Sequence, residues 1–260
     1  MSDLGLIVEA ARLAGETAMR LQSEGLRIWG KDNSTPVTNA DIEVDTLLRT
    51  RLLEARPDYG WLSEETKDDP ARLDRRRLFV VDPIDGTVAF MKYKPWWSVS
   101  IAVVEDGQPI AAVVHAPEVE ETFTAEIGKG AHLNGQPIHA STTSDLLNSG
   151  MLGDAKMFAH PAWKTPWPPM RIEARNSIAY RLCLVADGRF DAALALSAKS
   201  EWDLAAADLI QREAGAVLTD HKGRPFSYNK PVPLMRSLIG AAPAIHPLIQ
   251  ARTEHIDLPN

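Results

Sequence analysis

The chain has 260 residues, 45% of them hydrophobic, and a formal net charge of −7. That is enough apolar material for one large core or two small ones, and a single cysteine rules out an intramolecular disulfide and suits a reducing compartment. The acidic balance argues against nonspecific nucleic-acid binding, which needs clustered Lys and Arg, and no apolar run reaches the roughly 18 to 20 residues of a membrane span.

At the start of the chain, Asp3, Glu9 and Glu16 break up the apolar residues and no basic segment leads an unbroken apolar one. The pattern predicts an amphipathic helix over 4–22 and not a signal peptide, so a cytoplasmic protein is expected. A second helix is predicted over 41–54, where Val44, Leu47, Leu48 and Leu52 recur at spacings of three and four, with Thr38-Asn39-Ala40-Asp41 as its capping box. Short strands follow at 59–62, 78–81, 98–104, 110–115 and 121–125, separated by Gly, Pro and Asp turns. Two of them flank Glu105-Asp106-Gly107-Gln108-Pro109, which predicts a hairpin. Arg75, Arg76 and Arg77, behind Asp68, Asp69 and Asp74, read as a solvated loop face.

Beyond a stretch rich in Pro and Trp around 161–169, the pattern becomes helix (177–187), strand (190–196), helix (201–214) and strand (216–219), then strand (237–241) and helix (246–253). Cys183 falls within an apolar segment and reads as a packing residue. Without repeats or a flexible linker, an N-terminal half (1–145) and a C-terminal half (146–260) are expected to pack as one unit.

The segment 78–90, LFVVDPIDGTVAF, carries the most chemical information. An apolar strand delivers Asp82 and Asp85 at its end, and carboxylates on a rigid turn suit magnesium, which takes hard oxygen ligands. Pro83 stiffens the turn, and Gly86 lets a phosphate approach the amides of Gly86 and Thr87. Asp-Pro and Asp-Gly are also common turn dipeptides, so the neighbours matter. Glu64 and Glu65 stand at another strand end, Glu64 as a candidate ligand and Glu65 as a solvated group, or both as part of an acidic loop. Asp41 opens a helix, where capping is the plain alternative. Asp203 lies in the first turn of a helix whose apolar face is Trp202, Ala205, Ala206, Leu209 and Ile210, a place suited to dipole complementation or to meeting an anionic substrate.

Together, SEE at 63–65, DPIDGT at 82–87 and WDLAAADLIQREAGA at 202–216 resemble the inositol monophosphatase superfamily, as do PVTNAD at 36–41 and Lys31. The resemblance implies an α/β chain with the layered αβαβα sugar-phosphatase fold, a homodimeric habit, and a lithium-sensitive, magnesium-dependent phosphomonoesterase. It implies two to three Mg2+ ions, the first held by Glu64, Asp82 and the carbonyl of Ile84, the second by Asp82, Asp85 and Asp203, and a third, weaker one near Glu64. Thr87 and Asp41 would polarise the attacking water, which with Glu64 makes Asp41, Glu64 and Thr87 the catalytic set. No HExxH, GxSxG or Walker motif competes with this reading.

The family hosts hydrolysis of inositol phosphates, nucleoside bisphosphates, fructose bisphosphate and histidinol phosphate. Inositol monophosphatases characteristically place a sugar-binding Glu shortly before the WD motif. The segment 191–200, DAALALSAKS, has none, unless Glu201 compensates. LSEE at 62–65, VVHAP at 113–117 and EWD at 201–203 look more like the bacterial 3'(2'),5'-bisphosphate nucleotidases, so adenosine 3',5'-bisphosphate is the expected small-molecule substrate. The alternatives are inositol 1-phosphate or a related sugar phosphate, and a regulatory binding protein on the same fold. Asp85, Gly86, Thr87 and Asp203 are the expected substrate contacts. Lys199 is a candidate for a second phosphate, and Ser177 for a hydrogen bond to substrate or an ordinary N-cap. No aromatic shelf for a base is legible, because Trp96 and Trp97 read as core or dimer contacts.

Overall fold

A run such as Ile101-Ala102-Val103-Val104, apolar at every position, forms a strand only where both faces of its sheet are covered. That requirement explains the layers seen in the computed structural model, which describes residues 1–30 and 36–258. Lys31 lies outside the described residues.

The chain begins with helix α1 (Asp3–Glu24), a short hairpin of β1 (Ile28–Gly30) and β2 (Pro36–Thr38), and helix α2 (Asn39–Ala55). Then come β3 (Gly60–Ser63), β4 (Arg77–Asp85), the short helix α3 (Thr87–Met91), β5 (Ser98–Glu105), β6 (Gln108–Ala116), β7 (Glu121–Glu126), β8 (Ala131–Leu133) and β9 (Gln136–Pro137). Strands β3 to β9 form a seven-stranded sheet in chain order, antiparallel except for the parallel β3–β4 pair. Next are β10 (Gly150–Leu152), α4 (Ala155–Phe158), β11 (Arg171–Glu173), α5 (Ile178–Ala186), β12 (Ala192–Ala195), β13 (Lys199–Ser200), α6 (Glu201–Glu213), β14 (Val217–Thr219), β15 (Leu234–Met235), β16 (Leu238–Ala241) and α7 (His246–Thr253). The second sheet has the order β11-β10-β12-β16-β14, and β13 pairs with β15.

Phe79, Val81, Ile101, Val103 and Val113, on one face of the large sheet, pack under α1 and α2. Leu78, Val80, Ala102, Val104 and Val114, on the other face, join a cluster with Leu182, Cys183, Leu204 and Leu209 of α5 and α6. Helix α7 and the 154–170 segment cover the far side of the small sheet through Ile245, Ile249 and Phe158. The result is helix, sheet, helix, sheet, helix. Among the described residues no helix is long and apolar enough to cross a membrane.

Helix α6 lies between two sheets, and this changes its pattern. A single apolar face was expected, but Leu204, Ala205, Ala206, Ala207, Asp208, Leu209, Ile210 and Gln211 are all buried, while Trp202 is only partly so. Tyr228 Oη donates to Asp208 Oδ2 at 2.9 Å, and Gln211 Nε2 donates to the Leu182 carbonyl at 3.0 Å, while the buried Gln211 Oε1 accepts no hydrogen bond from the described residues.

Two expectations are corrected. Arg77 is not part of a solvated loop: it opens β4, its Nε donating to Glu105 Oε1 at 2.9 Å and its Nη1 to Tyr59 Oη at 2.9 Å, so it ties the sheet edge to α1 through Asp3. The strand predicted over 78–81 continues to Asp85 despite Pro83, because a register shift between Asp82 and Asp85 takes the proline out of the hydrogen-bond ladder. The three-residue strands β10 and β11 were not anticipated, since three residues carry no measurable period.

Leu209 is 1% exposed and lies nearly two turns beyond Asp203. Leu209→Ala is expected to lower stability by roughly 2–5 kcal/mol, as cavity-forming core substitutions do, with specific activity retained at 25 °C. Urea denaturation followed by circular dichroism checks the first expectation and phosphate release the second.

Candidate active site

The register shift in β4 has a chemical consequence. It places Asp82 and Asp85 at the sheet's end, where α5 and α6 also begin. One carboxylate oxygen from each of Asp82, Asp85 and Asp203 lies within 4.8 Å of the other two. Asp82 and Asp85 are buried and Asp203 is half-buried.

Each aspartate is held by donors that leave lone pairs for the centre. The amide of Ile84 donates to Asp82 Oδ1 at 3.1 Å. Asp85 receives the Ser177 hydroxyl at 2.5 Å, the Ala179 amide at 2.7 Å and the Ile178 amide at 3.2 Å. It therefore sits against the positive end of α5. Asp203 Oδ2 accepts from the Ser200 amide at 2.8 Å in a capping arrangement at the start of α6. Gly86 has φ +96°, and a Cβ there would stand 3.0 Å from the Ser177 amide nitrogen and 3.2 Å from the Trp96 carbonyl, so only glycine allows this approach.

These donors only partly offset the cost of burying like charges. Burial, then Glu64, Asp85 and Asp203, push the Asp82 carboxyl well above the usual range. Asp85 is pushed up to about 6 by burial against the opposing pull of Ser177, Ala179 and Ile178. Asp203 is pushed up to about 8 by burial and by Asp85. Among the described residues no ion pair reaches any of the three. Converging hard oxygens with no ion pair among the described residues, and with Lys199 lowering Asp203 only against the larger effect of burial, fit a divalent cation.

The other expected residues surround this centre in different ways. The Glu64 carboxylate is not one of the three converging groups, although its charge raises the proton affinity of Asp41, Asp82, Asp85 and Asp203. Thr87 Oγ1 lies 3.2 Å from both Asp41 Oδ1 and the Ile84 carbonyl oxygen. Asp41 is buried, and its Oδ2 accepts from the Thr38 amide at 2.8 Å and the Thr38 hydroxyl at 2.6 Å. The capping box and the contact with Thr87 coexist because they use different oxygens. Ser177 is fully buried; its Oγ caps α5 by accepting from the Tyr180 amide at 2.9 Å and meets the site through Asp85. Glu201 does not compensate for the missing sugar-binding Glu. It is fully buried and accepts from the amides of Asn229 at 2.7 Å and Lys230 at 3.0 Å.

A cavity of about 540 Å³ is lined by Asn176, Arg181 and Lys199 together with Met157, Leu194 and Leu196; none of the three aspartates lines it, but Ile178, whose amide donates to Asp85, does. The ammonium of Lys199 donates to Ser197 Oγ at 2.9 Å and the Ala198 carbonyl at 3.0 Å. Burial and the nearby Arg181 hold it below its ordinary value, while Asp203 and Asp85 pull the other way. Arg181 is the residue the sequence reading missed: it sits in an apolar helix, and nothing in its local pattern marks it as facing a cavity. A cavity of about 580 Å³ beside α2 touches Asp45 and Glu65 but none of the three converging aspartates.

A layered α/β molecule with buried carboxylates at a sheet end beside helix N-termini has the architecture of a metal-assisted phosphatase. The inositol monophosphatase family model matches residues 4–257, and the chain belongs to that family. Among curated relatives it is 35% identical to the Nus factor SuhB of Xylella fastidiosa, covering 85% of this chain and 82% of that one. It is 36% identical to a histidinol-phosphatase of Mycobacterium tuberculosis, covering 85% and 88%. With the 3'(2'),5'-bisphosphate nucleotidase CysQ of Aggregatibacter actinomycetemcomitans the identity is 32% over 86% of each. The inositol monophosphatase structure of Thermotoga maritima superimposes with a TM-score of 0.83 at 27% identity over 97% of each chain. The chain is a phosphomonoesterase of this family.

Folding raises the proton affinity of all three aspartates, so each stabilises the folded chain below the ordinary carboxylate range. That contribution is lost as pH rises, through about 6 for Asp85 and about 8 for Asp203. In chelator, the melting temperature is therefore expected to fall between pH 5 and pH 8. Asp82→Asn should raise metal-free stability at pH 8 by about 1–3 kcal/mol, with a smaller gain at pH 5, as read by thermal melts.

Proposed function

We propose that the chain hydrolyses adenosine 3',5'-bisphosphate as a magnesium-dependent 3'(2'),5'-bisphosphate nucleotidase. The observation that carries this reading is the pair of cationic side chains, Lys199 and Arg181, in the cavity that Ile178, a hydrogen-bond partner of Asp85, also lines. A monophosphate needs no second anion site, whereas a bisphosphate does. The buried position of Glu201 weighs against an inositol substrate, which lacks its expected hydroxyl acceptor here.

Two to three magnesium ions would be held by Glu64, Asp82, the Ile84 carbonyl, Asp85 and Asp203. When bound, they supply charge neutralisation and Lewis acidity at the phosphoryl group. The protein's own residues do the positioning. Thr38 fixes Asp41, and Asp41 orients the Thr87 hydroxyl, which presents a lone pair to the attacking water. The amides of Gly86 and Thr87 open α3, where a helix's first N–H groups have no partner within the helix, and they face the phosphate. Ser177 acts on the substrate through Asp85. The net charge of −7 supports a protein that binds neither nucleic acid nor membrane, and we place it in the cytoplasm as a homodimer.

The SuhB relative is named as a Nus factor, which favours a regulatory binding protein as the second reading. Phosphate release from adenosine 3',5'-bisphosphate, inositol 1-phosphate, fructose 1,6-bisphosphate and histidinol phosphate separates the readings. The expected outcome is a preference for the first, abolished in Asp82→Asn and inhibited by millimolar lithium. Preference for another ester defeats the nucleotidase reading, and no turnover of any of them moves the weight to the binding protein. Lys199→Ala is expected to raise KM for adenosine 3',5'-bisphosphate by roughly tenfold or more, the size of a lost charge-assisted hydrogen bond, with little change for inositol 1-phosphate.

A further inference from the structure

Next to the cation-lined cavity is a second one of about 420 Å³, lined by Met157, Ala162, Trp163, Leu196 and Ile256, with His160, Lys164 and His255 also in its lining. Met157 and Leu196 line both cavities, so the two share an apolar wall. The second cavity is lined by the Pro- and Trp-rich 154–170 segment, whose Phe158 and Trp167 anchor it to the core under the small sheet, and by Leu196, His255 and Ile256.

Its walls are fixed in place. The Trp163 indole donates to the Met157 carbonyl at 2.6 Å, and its ring stands edge-on to Trp167 with centroids 5.2 Å apart. Trp167 stands edge-on to Phe158 at 5.1 Å and lies under the Arg252 guanidinium at 5.0 Å. Arg252 in turn donates to the carbonyls of Thr165 and Pro166, both at 3.0 Å. An indole held this firmly loses little entropy when a flat ring stacks beside it.

Three chemically distinct zones therefore adjoin: an acidic centre suited to cations and a phosphoryl group, a pocket with Lys199 and Arg181, and an apolar cavity beside a tryptophan. A nucleoside bisphosphate carries the matching groups on one ribose, namely a reacting phosphate, a second phosphate and a flat base. We infer that the second cavity receives the base of this substrate and selects nucleotides over sugar phosphates, which have hydroxyls where Met157, Trp163, Leu196 and Ile256 offer carbon. The inference rests on the nucleotidase reading and adds the recognition element that the sequence did not show.

Two variants test it. Ala162→Trp fills the cavity from a residue that lines it without removing a core contact, and Trp163→Ala removes the stacking surface. Steady-state constants are measured for adenosine 3',5'-bisphosphate and for the base-free ester β-glycerophosphate, with thermal melts to confirm folding. Both variants are expected to raise KM for the nucleotide by roughly tenfold, the size of one lost base–aromatic stack. The turnover number for the nucleotide and both constants for β-glycerophosphate should stay unchanged. If the wild-type protein prefers the nucleotide but folded Ala162→Trp keeps its KM, the base cavity is overturned while the nucleotidase reading stands. Equal losses for both esters also overturn the base cavity. If the wild-type protein shows no preference for the nucleotide, the nucleotidase reading fails, and the base cavity with it.

Discussion

Three aspartates with oxygens inside 4.8 Å of one another, in a region that excludes much of the water, form the constraint around which this molecule is arranged. Like charges so close would spring apart or take up protons unless something opposes them. The protein opposes them with backbone amides and one hydroxyl: the start of α5 on Asp85, the start of α6 on Asp203 and the Ile84 amide on Asp82. These donors fix the geometry without neutralising the charge. The carboxyl groups of Asp85 and Asp203 accordingly remain at about 6 and about 8. The site is costly to the fold for the same reason that it attracts a divalent ion.

The middle layer makes this arrangement possible. Helices α5 and α6 are covered on both sides by sheets, so their positions are set by close packing of Ala205, Ala206, Ala207 and Leu209 and not by a single amphipathic stripe. Their N-termini can then be aimed at the end of β4 with little freedom to drift. Gly86 closes the joint, because its left-handed backbone and missing Cβ allow the chain to pass next to Ser177. Function and packing therefore meet in the same few residues, and Ser177 serves both as the cap of α5 and as a holder of Asp85.

The relatives of this chain are named for different tasks at similar identity, histidinol-phosphatase and bisphosphate nucleotidase among them. That pattern fits a shared phosphoryl centre with substrate choice decided around it. In this chain the surroundings are the Lys199 and Arg181 side and the apolar cavity beyond Met157 and Leu196. Both are built from segments after residue 150, whereas Asp82 and Asp85 come from β4 before it. Asp203 joins those two from α6, so the centre draws on both stretches while the cavities draw on the later one.

Much of this was written locally and therefore legible. The period of α1, the capping box of α2, the β5–β6 hairpin and the DPIDGT turn each depend on residues a few positions apart, and local sterics and hydrogen bonding decide them. The family resemblance also lies in short motifs, so Asp82, Asp85 and Asp203 were expected together before their convergence was seen. Tertiary structure alone decided what depends on distant neighbours: that Glu201 turns inward to the amides of Asn229 and Lys230, that Arg77 is a structural tie, and that Arg181 faces a cavity. A side chain's local pattern is much the same whether it meets solvent, a buried amide or a ligand. Only the packing of segments up to a hundred or more residues apart removes that ambiguity, because burial and hydrogen-bond partners are properties of the assembled layers.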